Sequence, residues 1–361
     1  MDCNETMTLL PLTENEEKYG QIARLNQTTG NTTSLNYDTE ESFTFEKVSL
    51  SFVLITSVFG NIFLLAVLIK IRSVRLLVDK LILSMTVCNL LLVIIWLPVD
   101  LYLYINGLFP FGLFGCKAFP TIATYSYTAA IFTLVAIAFE RRHAVLNPFE
   151  ANMNKKKEYV MWIFIHGSAI IFASPSLHTS YDVESKLCYE TWDITYRHTY
   201  TVLLFLMQYL SPVLIMTVCY FQAWKKINAS KAIFSAQETV GRNGSKAGQF
   251  CLPERNIALF RQRLRQSRDL LKMFTAVVVV FIISAFPIHV IWLIRDFNKY
   301  RFSPILISIT NITKYANCIV NPWIYGRLNK NFRKDFQILF WLVLGRKYGE
   351  RLATRQQFRT Q

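Results

Sequence analysis

The chain of 361 residues is 52% hydrophobic and 14% aromatic, too apolar for a soluble globule of this size unless much of its surface faces lipid. A formal net charge of +15 would point a soluble protein toward nucleic acid. Here the basic residues fall in the connections between apolar blocks, so the charge reports membrane topology and excludes a nucleic-acid partner.

In chain order, residues 1–47 are expected to form an external, glycosylated tail. They are acidic, with Glu14, Glu16, Glu17, Asp38, Glu40, Glu41 and Glu46, and Asn4, Asn26 and Asn31 open acceptor sequons. No charged n-region with a cleavable h-region opens the chain, so the first span is expected to serve as its own insertion signal. Residues 48–326 hold apolar blocks at about 48–71, 80–103, 113–140, 157–177, 199–224, 270–294 and 304–326, each close to the roughly 20 residues that cross a bilayer as a helix. Lys70, Arg72, Arg75 and Lys80 follow the first block, and Arg141, Arg142, Lys155, Lys156 and Lys157 follow the third. A basic stretch from Lys225 to Lys272 follows the fifth, and residues 327–361 complete the pattern. The positive-inside bias therefore sets the N-terminus outside the cell and the C-terminus in the cytosol of a multi-pass plasma-membrane protein. Asn243 and Asn311 also begin sequons, but one is cytosolic and one intramembrane, so both should stay unmodified.

Of seven cysteines, Cys88, Cys219, Cys251 and Cys318 fall in helices or the cytosol, where disulfides are not expected. Cys3, Cys116 and Cys188 remain outside. A bridge between Cys116, at the start of the third span, and Cys188, in the second external loop, would pin that loop over the bundle and leave Cys3 unmatched. The loop reads as two short extended runs, through Tyr181-Asp182-Val183 and Leu187-Cys188-Tyr189.

Polar residues, prolines and charges are few in membrane helices, so those present carry the information. Gly60-Asn61 stands in the first span, Trp162 in the fourth, Pro212 with Tyr220 in the fifth, and Phe281 with Pro287 in the sixth. The third span ends Glu140-Arg141-Arg142. The seventh ends Asn321-Pro322-Trp323-Ile324-Tyr325, and Asn329 to Phe336 follows as an amphipathic segment. This ordered set, over about residues 48 to 340, resembles the rhodopsin family of G-protein-coupled receptors. The expected fold class is then all-α, a seven-transmembrane-helix bundle with a short amphipathic eighth helix on the cytosolic side. The resemblance implies an external ligand, a heterotrimeric G-protein partner, no enzyme activity, and neither cofactor nor metal. It also implies that Arg141 pairs with Glu140 at rest and on activation is released to meet Tyr220 and Tyr325. Pro287 lacks an N–H and clashes with the preceding turn, so a kink is expected there that amplifies small motions into a swing of the sixth helix.

For the ligand, Cys188-Tyr189-Glu190-Thr191-Trp192 is similar to the second-loop sequence of peptide receptors, as are Pro287-Ile288-His289 and Pro98-Val99-Asp100. A neuropeptide or peptide hormone is therefore expected, bound by Asp100, Thr121, Glu190, Trp192, His289 and Lys314. An external mouth with Asp182, Glu184, Glu190 and Asp193 would attract a basic peptide. An amine receptor would carry an aspartate at the position aligned with Thr121, and none is there. A retinal-binding opsin needs a lysine where this chain has Tyr315. Lys314 is one residue away, about 100° around a helix.

Three residues depart from the family pattern. Asn89 replaces an aspartate that holds sodium, Ala130 replaces a serine, and Ala285 replaces the aromatic switch before Pro287. Sodium should therefore lose its main attraction. Lys314, Asn317 and Asn321 share one helical stripe, so the Lys314 ammonium either descends toward Asn317 and Asn89 as a built-in cation or reaches up to a ligand carboxylate or a nearby acid. The tail beyond the eighth helix has Thr354 and Thr360 as phosphate acceptors, from which weak arrestin recruitment is expected. The alternatives are an orphan or constitutively active receptor with a non-peptide ligand and a small membrane transporter. The latter should show inverted repeats, and none is found. An intramembrane enzyme would need a catalytic constellation, whereas His166 and His289 stand alone on different helices.

Overall fold

Inside hydrocarbon every backbone N–H and C=O has to be bonded within its own segment, and the apolar blocks meet this demand as helices. The computed structural model describes residues 33–72, 74, 76–106, 108–147, 155–242, 254–298 and 302–344. Helix α1 (Thr33–Ala66) runs on into a π-helical turn, Val67–Arg72. Helices α2 (Leu77–Asn106), α3 (Gly112–Leu146) and α4 (Lys155–Leu177) follow. A hairpin of β1 (Thr179–Asp182) and β2 (Leu187–Glu190) leads to α5, in which Ile194–Phe205 joins Ser211–Arg242 through a π-helical turn at Leu206–Leu210. Then come α6 (Glu254–Asn298), α7 in two pieces (Pro304–Thr313 and Ala316–Leu328) and α8 (Lys330–Val343).

Among the described residues, six helices are each long and apolar enough to cross a bilayer. The seventh crossing is α7, interrupted at Lys314 and Tyr315. Its two pieces cover residues 304–328, roughly 37 Å at about 1.5 Å per residue, enough for a hydrocarbon core of roughly 30 Å. Helix α1 starts at Thr33, inside the stretch expected to be tail, because a helix already nucleated by its membrane-spanning part extends at little further cost. Helix α2 starts at Leu77 rather than at 80. Asn4, Asn26, Asn31, Asn243, Cys3, Cys251, Thr354 and Thr360 lie outside the described residues.

Helix α3 is the most enclosed of the six, packed among α2, α4 and α5. Close joints explain several of the letters that stood out in sequence. A Cβ on Gly60 would lie 3.3 Å from the Pro322 ring, so glycine lets α1 approach α7. Its neighbour Asn61 donates to the Ser57 carbonyl at 2.8 Å and to the Cys318 carbonyl at 2.7 Å. At the end of the bundle that carries α8, Arg72 bridges Asp79 at 2.8 Å and Asp335 at 3.1 Å, its guanidinium 4.3 Å over the Phe332 ring. That one side chain ties the turn after α1 to the start of α2 and to α8. Helix α8 is capped by Asn329, whose Oδ1 accepts from the Asn331 and Phe332 amides. It buries Phe332, Ile338 and Leu339 and exposes Lys330, Arg333 and Lys334, the asymmetry of a helix lying along a membrane surface.

On the opposite end the hairpin expected from sequence is present, with Thr179 opposite Glu190 and Tyr181 opposite Cys188. The Cys116–Cys188 disulfide holds it to the start of α3, and the Thr179 hydroxyl donates to the Cys116 carbonyl at 3.1 Å.

Candidate functional site

A fixed charge pair links α2 to the break in α7. The Lys314 ammonium donates to Asp100 Oδ2 at 2.7 Å, and the Tyr315 hydroxyl donates to the same oxygen at 2.7 Å. Asp100 and Lys314, both expected to bind ligand, are thus brought together. Of the two placements expected for Lys314, the descent toward Asn317 and Asn89 is corrected: the ammonium goes up to a nearby acid. Helical side chains lean toward the N-terminus of their own helix, which for α7 is the end bearing Asp100's neighbours and the hairpin. Asn317 lies one turn in the other direction.

Below this pair lies a cavity of about 20 Å³, lined by Asn89, Tyr127, Ala130, Lys314, Asn317 and Asn321 among others. That is room for one water molecule. Asn89 Nδ2, Tyr127 Oη, Asn317 Oδ1 and Asn321 Oδ1 have no hydrogen-bond partner in the protein, and no carboxylate lines the space. Donor and acceptors of this kind suit a neutral polar guest. They offer a cation no opposite charge, in keeping with the expected loss of sodium attraction.

At the hairpin end of the bundle fewer acids are free than the sequence count implied. Asp182 is used by its own turn, accepting from the Glu184 amide and the Ser185 hydroxyl, and those bonds hold its carboxyl below the usual range. Asp193 caps α5 through the Thr195 amide at 2.8 Å, which lowers it likewise. Glu190 differs. Burial pushes its carboxyl up, against the opposing pull of the Trp192 indole and Arg197 nearby, and its Oε2 has no hydrogen-bond partner. Arg197 is itself engaged with Asp296 on α6 at 2.7 Å. His198 Nε2 lies 3.1 Å from the Asp296 carbonyl. These contacts tie the outer ends of α5 and α6 together.

Deeper in the bundle, His289 is buried and its Nδ1 is 2.8 Å from the Ala285 carbonyl, so that nitrogen carries the proton and Nε2 is left an unpartnered acceptor. Its ring lies between Tyr127 at 6.1 Å and Tyr209 at 5.4 Å. Thr121 turns its hydroxyl back to the Lys117 carbonyl at 2.6 Å, a bond within α3 rather than one aimed at a ligand.

At the end of the bundle that carries α8, Glu140 and Arg141 form the expected ion pair, Arg141 Nε and Nη2 donating to the two carboxylate oxygens. Arg142 donates to Gln222 on α5. Tyr220 and Tyr325 are both buried, and the Tyr325 hydroxyl faces Met85 Sδ at 4.0 Å rather than a second phenol. Asn321 Nδ2 points to the same sulfur at 3.7 Å. Pro287 and Pro322 lie inside continuous helices.

Comparison with known proteins settles the family. The family model described as "7 transmembrane receptor (rhodopsin family)" matches residues 60–325. The chain belongs to that family. Among its relatives, the neuropeptide FF receptor 2 of Rattus norvegicus is 30% identical over 306 residues, covering 78% of this chain and 69% of the relative. The QRFP-like peptide receptor of Branchiostoma floridae is 25% identical, covering 80% and 75%. The neuropeptide Y receptor type 1 of Xenopus laevis is 26% identical, covering 80% and 78%.

Three features of this receptor were missed in sequence. The Arg72 clip joins acids at positions 79 and 335, too far apart in the chain to be paired by spacing. The Arg197–Asp296 tie also joins two loop-proximal charges that nothing local connects. Tyr209 lies in the π-helical turn of α5, and a one-residue bulge leaves no periodic signature in an apolar block.

Proposed function

We propose that this receptor binds an extracellular peptide and activates a heterotrimeric G protein, with its N-terminus outside the cell. What carries the reading is that relatives named as receptors for neuropeptide FF, QRFP-like peptide and neuropeptide Y align over 78–80% of the chain. The geometry agrees with it. A disulfide-pinned hairpin rims the external end with a partly buried glutamate whose Oε2 has no hydrogen-bond partner, and a closed Glu140–Arg141 pair sits at the other end. Ligand contact is assigned to Asp100, Lys314, Glu190, Trp192 and His289, and Thr121 takes a supporting place through its own helix. Release of Arg141 toward Tyr220 and Tyr325, together with a swing of α6 at Pro287, would expose the cytosolic face to the G protein.

The test is a peptide-library screen on surface-expressed receptor with a promiscuous G-protein readout. A concentration-dependent response that weakens in Glu190→Gln and Lys314→Met supports the proposal. Silence to every peptide, with expression verified, counts against peptide agonism. Arrestin is proposed to couple weakly through the tail, and recruitment abolished by truncating after Tyr348 would refute that.

A further inference from the structure

Helix α6 contains Pro287, which supplies no N–H, so the Ile283 carbonyl one turn earlier loses its helical donor and the ladder opens beside it. The adjacent carbonyl, that of Ile282, receives a donor from another helix: the Tyr209 hydroxyl, at 3.2 Å. Tyr209 reaches it because of how α5 is built. In a regular helix consecutive residues point about 100° apart, yet Gln208 and Tyr209 are both buried. The π-helical turn Leu206–Leu210 supplies the extra room in the ladder that lets both face inward. Gln208 then donates to Thr128 Oγ1 on α3 at 2.7 Å, which fixes the turn, and Tyr209 is left to serve α6.

The aromatic surroundings match this role. Ala285 stands where the family pattern has an aromatic switch, and the Tyr209 ring packs near Phe281 at 6.3 Å and Phe286 at 6.0 Å. Its position against His289, at 5.4 Å, means that any group pressing on the buried imidazole from the ligand side also displaces the phenol.

We propose that Tyr209 is the positioning residue that holds α6 at its proline. Its hydroxyl bonds the Ile282 carbonyl beside the opened ladder, keeps the inner half of α6 against the bundle, and is withdrawn when a ligand moves His289. The latch rests on the receptor reading above for its signalling consequence, but its structural part does not. One neutral hydrogen bond corresponds to about a fivefold shift in a two-state population.

The experiment uses the full chain with Cys3 and Cys251 changed to serine and spin labels introduced at exposed Lys155 on α4 and Arg265 on α6. In Tyr209→Phe, which keeps every ring contact, the population with widely separated labels should rise about fivefold without ligand. Basal nucleotide exchange on reconstituted G protein should rise with it. An unchanged or narrowed distance distribution overturns the proposal. A widened distribution without exchange leaves the latch intact and counts against the G-protein reading instead. In Pro287→Ala, where residue 287 returns a donor to the Ile283 carbonyl and the hinge beside Ile282 closes, Tyr209→Phe should have no further effect on the distances. The same shift in both backgrounds would show that the hydroxyl does not act through the proline.

Discussion

Replacing Lys314 by methionine removes one partner of the Asp100 pair while keeping most of the side-chain volume. The two side chains are 18% and 21% exposed, so the carboxylate left behind is largely out of water. Breaking such a pair from one side costs roughly 3–5 kcal/mol, because the surviving charge is uncompensated. The Tyr315 hydroxyl still donates to the carboxylate and a fifth of each group meets solvent, which puts the expected loss near the low end, about 3 kcal/mol. At about 2 °C per kcal/mol for a chain of this size, the unfolding midpoint in detergent should fall by about 6 °C. The buried thiols of Cys88, Cys219 and Cys318 report unfolding through a thiol-reactive dye. Asp100→Asn in the same chain removes the stranded charge, so the double variant should recover a substantial part of the loss. If the single effects simply add, to within about 0.5 kcal/mol, Asp100 does not hold the Lys314 ammonium and the reasoning fails.

Other outcomes are expected with equal definiteness. Agonist affinity should be the same in sodium and potassium media, since the small cavity beside Asn89 has no carboxylate; a sodium-specific shift of tenfold would contradict this. Glu190 is raised by burial, so its neutral form is favoured in the folded state. Its stability contribution is full below the ordinary glutamate value of 4.5 and is lost as pH rises through the raised folded value. Affinity for a basic peptide should therefore fall on acidification while the hairpin gains stability. Glu190→Gln should flatten the affinity profile, and an unchanged profile in that variant would assign the titration elsewhere. Arg72→Ala removes the cation that Asp79 and Asp335 share and should destabilise the receptor by about 3 kcal/mol, seen as a lower midpoint and faster proteolysis within α8. Arg72→Lys cannot span both acids as a planar fork does and should recover less than half.

What the sequence determined by itself follows from local physics. Block length against bilayer thickness gave seven crossings, the last visible in sequence although α7 is split at Lys314. Charge asymmetry gave the expected sidedness, and Glu140-Arg141 sits in one turn, so its pairing needed no partner from elsewhere. Gly60 and Asn61 were legible as special, but why they are needed became clear from the 3.3 Å approach to Pro322. Tertiary structure decided the rest, for a common reason: a long or inward-facing polar side chain takes its partner from another helix, and helical spacing is blind to that choice. The stripe of Lys314, Asn317 and Asn321 pointed down α7, while side-chain tilt and Asp100 drew the ammonium up. Half of the acidic mouth turned out to be spent on a turn and a helix cap. The phenol that reaches the Ile282 carbonyl of α6 depends on the π-helical turn of α5, a bulge that composition and periodicity cannot register because it lies inside an apolar block.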